Sequence, residues 1–267
     1  LYNQRQEVFR GCNIKASSCA LKFMKIICQL LGGSHLYGLA TKDSDFDYRG
    51  VFVNTDHAKI LGLERNDYVK KEDEEDTIFF ELCHFLKGLQ KTNTQFLEIL
   101  FADERDFSLL NREFVEIKNN KENLIDSKQF YKSLCGYIGN ESRLANGERS
   151  GKLGSKRRAQ IEKYGFSPKN FSHLLRLAYC GYTFFENNIY PVNIKRHNPE
   201  FCELLFSIKT KPEKYSKKYL NSLSDKALQK LKIAFKNRKT NFVFDPSLAN
   251  DLCKKLYLPF LNDANTH

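Results

Sequence analysis

The residues best suited to chemistry lie between positions 33 and 50, where a Gly-Ser pair precedes an Asp-x-Asp pair. Gly33 allows the backbone to approach an anion closely, and Ser34 adds a hydroxyl donor. Asp45 and Asp47 are two residues apart, and in a strand this spacing places both carboxylates on one face. Adjacent carboxylates repel each other unless a cation lies between them, and hard oxygen ligands favour Mg²⁺ or Mn²⁺. The spacing therefore predicts a site for a divalent cation and a phosphate-bearing ligand.

Two predicted strands position this segment. Residues 25–31 form a short apolar run with β-branched members that stops at two glycines, which predicts a buried strand followed by a turn. Residues 41–45 are rich in turn formers, and residues 46–53 resume as a strand. An isolated Asp-x-Asp pair is common in turns and capping segments. Its coupling to Gly-Ser between two strands favours the metal-site interpretation.

This segment resembles the DNA polymerase β-like nucleotidyltransferase superfamily and, within it, the YcgL/RlaP-like branch. The branch pattern is Gly-Ser-x-x-Tyr-Gly followed by Ser-Asp-x-Asp-x-x-Gly, and it is matched by Gly33, Ser34, Tyr37, Gly38, Ser44, Asp45, Asp47 and Gly50. The resemblance implies transfer of a nucleoside monophosphate from a nucleoside triphosphate to an acceptor hydroxyl, with release of pyrophosphate. It also implies two metal ions roughly 3.5–4 Å apart. Gly33, Ser34 and Tyr37 are then expected to bind the nucleotide.

Enzymes of this superfamily carry a third carboxylate on a neighbouring strand, and Glu81 is the best local match. Residues 77–82 read as a strand that runs into an amphipathic helix over residues 83–90. We therefore predict that Glu81 joins Asp47 on the metal ion that activates the acceptor hydroxyl. The alternative is that Glu81 caps the following helix. The acidic run over residues 71–76 is predicted to be a solvated turn and not a metal site.

Two further segments resemble the same branch. Residues 93–101 are similar to its Asn-Pro-x-x-x-Glu-x-Leu-Phe segment, with Thr94 in place of Pro. Lys169, His173 and Arg176 match its Lys-x-x-x-His-Leu-Leu-Arg-Leu helix and share one helix face by their spacing. Three donors on one face predict a clamp for a triphosphate or an RNA phosphate. A histidine buried in the core is the alternative for His173.

Charge divides the chain into two parts. Residues 1–125 hold 17 basic and 20 acidic residues, a net charge of −3, whereas residues 126–267 hold 26 and 12, a net charge of +14. We predict a nucleotidyltransferase catalytic domain over the first range and a basic helical domain over the second. Lys152, Lys156, Arg157 and Arg158 are the predicted nucleic-acid contacts. A basic helix surface that binds nothing is the alternative.

The resemblance implies an RNA 3′ end as the acceptor, with tRNA as one candidate, and the basic second part independently favours a nucleic acid. Transfer to a protein side chain or to a small molecule is a second enzymatic interpretation. A non-catalytic RNA-binding module that kept the fold is a third, although closely packed carboxylates repel each other in the absence of a metal ion.

The predicted fold is α+β. The first part alternates strands and helices, which predicts a small mixed β-sheet nucleotidyltransferase core flanked by helices, and the C-terminal lobe is predicted to be mostly helical. Helices are expected over residues 127–138, 170–186 and 222–238, with loops over residues 147–154 and 189–199. Asn187 or Asn188 is expected to end the second of these helices in a left-handed conformation.

Cysteine spacing and hydropathy bear on the environment of the chain. Eight cysteines occur with no Cys-x-x-Cys pair, and several lie in apolar runs, so we expect reduced thiols in a cytoplasmic protein and no zinc site. No secretory signal and no apolar run of roughly eighteen residues is present, so neither export nor a membrane span is expected. The first residue is Leu1 instead of Met, so further residues are expected upstream.

Overall fold

A computed structural model describes residues 23–62, 67–72, 76–148 and 155–262. Over these ranges the chain forms one mixed five-stranded sheet and twelve α-helices, which confirms the predicted α+β fold with a mostly helical C-terminal region. The strands are β1 (Met24–Leu31), β2 (Asp47–Asn54), β3 (Tyr68–Glu72), β4 (Asp76–Glu81) and β5 (Phe107–Leu110).

The helices fall into two groups in chain order. Those interleaved with the strands are α1 (Gly33–Tyr37), α2 (His57–Leu61), α3 (Leu82–Gln90), α4 (Thr94–Phe101) and α5 (Arg112–Asn119). Those that follow are α6 (Ser127–Ala145), α7 (Ser155–Tyr164), α8 (Pro168–Asn187), α9 (Ile194–His197), α10 (Pro199–Thr210), α11 (Lys217–Asn237) and α12 (Pro246–Asn262). Among the described residues, no helix combines the length and the apolar character needed to cross a bilayer.

The strand order across the sheet is β3-β4-β2-β1-β5. Strands β2 and β4 run parallel, and the other three pairings are antiparallel. In the parallel pair, Asp47 lies opposite Asp76 at one end, and Phe52 lies opposite Glu81 at the other. This register decides which acidic side chains lie near one another.

The hydrophobic core runs from the sheet into the helical part. The central strands contribute fully buried side chains such as Ile27, Leu30 and Val51, as expected for strands covered on both faces. One contiguous cluster of buried residues joins them to α6 and α8. The boundary near residue 125 stays a prediction, since this core crosses it.

Helix α8 is the centre of the helical part. It begins with Pro168 at its first position and packs against α6, α10 and α11. Asn188 ends it in the left-handed conformation, with φ of 59°, as predicted. Helix α9 is an addition to the prediction, because it lies within residues 189–199, which were expected to form a loop. Helix α12 returns to the sheet and packs against α2, α3 and β2.

Candidate active site

The backbone of the turn between β1 and α1 packs directly against Asp47. The N–H of Gly32 donates to the carbonyl of Asp47 at 2.6 Å. Gly33 has φ of +60°, and a Cβ at this position would overlap Oδ2 of Asp47. Only glycine combines this backbone conformation with so close an approach. The glycine of the Gly-Ser pair is therefore what allows the Asp47 carboxylate to lie beside the turn.

Asp45 lies on a tight loop and not on a strand. The N–H of Thr41 donates to Oγ of Ser44 at 2.8 Å, and the N–H of Ser44 donates to the carbonyl of Thr41 at 3.1 Å. Asp45 follows this turn and is exposed, and β2 begins only at Asp47. The alternation of a strand therefore places Asp47, while the Ser44 turn places Asp45.

A second carboxylate lies directly opposite Asp47 across the parallel strand pair. This residue is Asp76, the first residue of β4. Nη2 of Arg49 lies 3.7 Å from Oδ1 of Asp47 and 3.5 Å from Oδ2 of Asp76, and its Nη1 donates to the Asp76 carbonyl at 2.9 Å. Arg49 thus screens the repulsion between the two acids. Within the described part of the chain, Oδ1 of Asp76 is buried and has no hydrogen-bond partner.

The structure separates Glu81 from Asp47, which corrects the predicted grouping. Glu81 lies five residues after Asp76 on β4, roughly 16 Å along the strand. Its side chain is fully buried and accepts hydrogen bonds from the N–H groups of Cys83 at 3.0 Å and His84 at 3.2 Å. This is the capping geometry that was the alternative for Glu81. The carboxylate beside Asp47 comes instead from the acidic run that was predicted to be a solvated turn.

The donor chemistry of this corner of the sheet fits a divalent cation. Asp47 and Asp76 offer hard oxygen ligands from adjacent strands, and the Oδ1 atom of Asp76 lacks a donor among the residues that are described. Asp45 precedes Asp47 by two residues and is exposed. In the described ranges, no group of three or more His, Cys, Asp or Glu side chains is already gathered as a metal site. A cation would therefore have to draw these carboxylates together.

Arg176 and Tyr37 form a buried cluster behind the Gly-Ser turn. The Tyr37 hydroxyl donates to Oε2 of Glu98 at 2.6 Å, and Nη2 of Arg176 donates to Oε1 of Glu98 at 2.9 Å. The guanidinium carbon of Arg176 lies 3.6 Å from the centroid of the Tyr37 ring. Arg176 is 1% exposed, and burial together with Glu98 raises the pKa of Tyr37. The structure thus corrects the predicted clamp: Arg176 ties α8 to α1 and α4 and presents no free surface to a triphosphate.

The other two predicted donors on α8 have different surroundings. His173 lies 3.4 Å from Nη2 of Arg176 through its Nδ1 atom. Burial, with the charges of Arg176 and Lys169, lowers the pKa of His173 to about 3, so the ring is neutral near pH 7. Lys169 lies in the first turn of α8 and is exposed. The three side chains share a helix face by spacing, but Lys169 is exposed, His173 is partly exposed and Arg176 is buried.

The predicted nucleic-acid contacts lie at the start of α7. Arg157 is half-buried and Arg158 is exposed, and Lys156 belongs to the first turn of the helix. Lys152 lies outside the described residues. Their role as phosphate contacts stays a prediction.

Sequence reasoning missed Arg49 and Asp76. The available signal was the end of the acidic run, where Asp76 immediately precedes the apolar strand residues that follow it. The parallel register that pairs Asp76 with Asp47 depends on tertiary contacts, and the sequence does not show it.

The structure places the Gly-Ser pair at the start of α1 and begins β2 at the second acid of Asp-x-Asp, the two motifs on which the resemblance to polymerase β-like nucleotidyltransferases rests. Residues 13 to 204 match the model of the family described as RlaP, RNA repair pathway DNA polymerase beta family, and the chain belongs to this family. It is also similar to the uncharacterized protein MJ0002 of Methanocaldococcus jannaschii. The two are 27% identical over 259 residues, which cover 88% of this chain and 96% of that protein.

Proposed function

We propose that this chain is a metal-dependent nucleotidyltransferase that transfers a nucleoside monophosphate from a nucleoside triphosphate to the 3′ hydroxyl of an RNA, with release of pyrophosphate. The observation that carries the proposal is the pair Asp47 and Asp76, opposite each other in register at the end of two parallel strands, with the Gly33 backbone against Asp47. Membership of a polymerase β family described by its place in RNA repair supports both the reaction class and the RNA acceptor.

In this proposal Asp47 and Asp76, with Asp45, hold Mg²⁺ or Mn²⁺. When bound, the cation neutralises charge on the triphosphate and lowers the pKa of the attacking hydroxyl. The residues of the chain position the nucleotide. The Gly33-Ser34 turn approaches the phosphates through its backbone N–H groups and the Ser34 hydroxyl. Arg49 screens the two carboxylates of Asp47 and Asp76 before the nucleotide binds.

Orientation of the turn depends on the cluster behind it. Tyr37 is the last residue of α1, and α1 begins at Gly33, so a displacement of Tyr37 moves the turn. Glu98 and Arg176 fix Tyr37 from two other helices. Accurate placement of the reacting groups supplies much of the rate in transfers of this kind. The buried ion pair thus contributes to catalysis through position and not through contact with the nucleotide.

A labelling experiment tests the proposal. Purified protein is incubated with Mg²⁺, one of the four labelled triphosphates, and a mixture of total RNA and protein, and the products are resolved on a denaturing gel. We expect label on RNA, lost with Asp47→Ala and retained with Asp251→Ala, which removes an exposed acid on α12. Label on RNA that persists in Asp47→Ala would rule out this site.

The same gel separates the alternatives. Label on protein, or on a small molecule, would replace the RNA acceptor with one of those classes while keeping the reaction. Label nowhere, together with Mg²⁺-independent RNA binding and no nucleotide binding in calorimetry, would favour the non-catalytic RNA-binding module.

A further inference from the structure

Two cysteines far apart in the sequence meet where the last helix packs on the sheet. Sγ of Cys83 lies 3.4 Å from Sγ of Cys253, across a separation of 170 residues. Cys83 is in the first turn of α3, immediately after β4, and Cys253 is in the middle of α12. Both residues are half-buried, so neither is enclosed in the core as Cys28 and Cys180 are. We propose that Cys83 and Cys253 are a site of reversible oxidation, at which a small-molecule disulfide converts the two thiols to a disulfide that joins α12 to α3.

The position of the pair gives the bond a consequence. Helix α12 is held on the catalytic part by noncovalent contacts near its C-terminal end, where Nε2 of His57 on α2 donates to the carbonyl of Phe260 at 2.6 Å. Lys255 also reaches Glu116 on α5 at 2.7 Å. The Lys255 ion pair is exposed and contributes little to stability. Ala249, Leu252 and Tyr257 of α12 are also buried. A covalent link at Cys253 would add to these contacts a bond that joins α12 to α3.

Other described cysteines are poor candidates for the same chemistry. Cys28 and Cys180 are fully buried, and burial raises the pKa of each, to about 12 for Cys180. The thiolate is the form that attacks a disulfide, so these two react slowly near neutral pH. Burial also raises the pKa of Cys135, a half-buried cysteine on α6. Cys135 therefore serves as the matched control.

The proposed step is thiol–disulfide exchange with oxidised glutathione. The thiolate of one cysteine attacks a sulfur of oxidised glutathione, which releases one glutathione thiolate and leaves a mixed disulfide on the protein. The thiolate of the second cysteine then attacks the protein sulfur of that mixed disulfide and releases the second glutathione. The two cysteines lose two electrons and two protons, and oxidised glutathione gains them. Closing the bond requires the two Sγ atoms to approach by roughly 1.3 Å, within the reach of side-chain rotation.

Peptide mapping tests the proposal directly. Trypsin cleaves after Lys71 and Lys87 and after Lys239 and Lys254, so Cys83 and Cys253 leave on separate peptides, 72–87 and 240–254, each with a single cysteine. The full chain is incubated with oxidised glutathione, the remaining thiols are alkylated, and the digest is analysed by mass spectrometry with and without dithiothreitol. We expect the two peptides to be joined before reduction, with a mass about 2 Da below their sum.

Variants and stability complete the test. Cys83→Ser should abolish the joined species and leave one glutathione on Cys253, whereas Cys135→Ser should oxidise like the parent. The melting temperature of the oxidised parent should rise by roughly 5–10 °C and return on reduction. If the peptides are never joined, or if the stable product in the parent is a glutathione adduct on either thiol, the proposal is wrong. None of these readouts depends on nucleotidyl transfer, so this outcome and that of the proposed function are separate.

Discussion

Asp76 and Glu81 are both acidic residues of β4, but their side chains have different surroundings and different roles. Asp76 lies at the strand end beside Asp47, with one carboxylate oxygen near Arg49 and the other buried without a hydrogen bond from any described residue. Glu81 lies at the opposite end, fully buried, and accepts from two backbone N–H groups of α3. In the proposed function Asp76 holds the cation, whereas Glu81 caps a helix.

Paired substitutions separate these roles. Asp76→Asn should lower the turnover of nucleotidyl transfer by a factor on the order of 100 or more, because the proposed metal ligand loses its charge, while the melting temperature changes little. Glu81→Gln should leave turnover per folded molecule near that of the parent but cost about 1 kcal/mol of unfolding free energy, because a charged cap becomes neutral. Turnover and thermal unfolding are measured on the same samples. The reverse result, with Glu81→Gln inactive yet stable, would return Glu81 to the metal site.

Among the secondary-structure elements, the junction between β1 and α1 requires glycine at position 33. Gly33 has positive φ and faces Oδ2 of Asp47 without room for a Cβ. Gly136 is the contrasting case. It lies in α6, and a Cβ added there would meet nothing within 4 Å.

Alanine at these two glycines should have opposite effects. Gly33→Ala should displace the Asp47 carboxylate and reduce transfer by a factor on the order of 100, with a loss of stability from the strained backbone. Gly136→Ala should keep full transfer and raise the unfolding free energy by about 0.5–1 kcal/mol, because alanine favours a helix interior over glycine. Urea unfolding and the gel assay measure the two effects. Full activity in Gly33→Ala would contradict the assigned contact.

Local sequence pattern predicted β1, β2, β4 and the three long helices of the C-terminal part, but it predicted neither β3 and β5 nor how the strands pair. The strands at β1, β2 and β4 begin within one residue of their predicted starts, because apolar runs bounded by Gly, Asp and Ser carry that information locally. The partner of Asp47 is set by the parallel register of β2 and β4, which no local pattern encodes. The same limit applies to Arg176. Its spacing on α8 gave the correct helix face, but its burial follows from α1 and α4 packing over it.

For the whole molecule, the burial of His173 on α8 makes stability depend on pH. His173 has a native pKa of about 3, below the unfolded value of about 6.5. As the pH falls from about 6.5 towards 3, the unfolded chain binds a proton that the native protein does not. The free energy of unfolding therefore decreases through this window and is unaffected above it.

His173→Gln should remove this part of the pH dependence, because glutamine keeps an acceptor near Arg176 but does not titrate. Between pH 7 and pH 5 the parent should lose about 1–2 kcal/mol more unfolding free energy than the variant does. Urea unfolding at several pH values gives both curves. Equal losses in the two proteins would mean that His173 is solvated in the native state.

The uneven charge of the chain determines how an RNA would be held. Residues 126–267 carry 26 basic and 12 acidic residues, and binding to single-stranded RNA should weaken with salt by about 0.7 logarithmic units per phosphate contact. If Arg157 and Arg158 each meet a phosphate, Arg157→Ala with Arg158→Ala should make the salt slope shallower by about 1.4 units.

Lys232→Ala with Lys236→Ala removes two exposed charges from α11 and controls for net charge alone. The salt slope of each protein is measured by fluorescence anisotropy with a labelled RNA oligonucleotide, at salt concentrations from about 50 to about 200 mM. Equal slopes in the two double variants would show that α7 is not the contact, and a parent without salt dependence would remove RNA as the partner of the basic half.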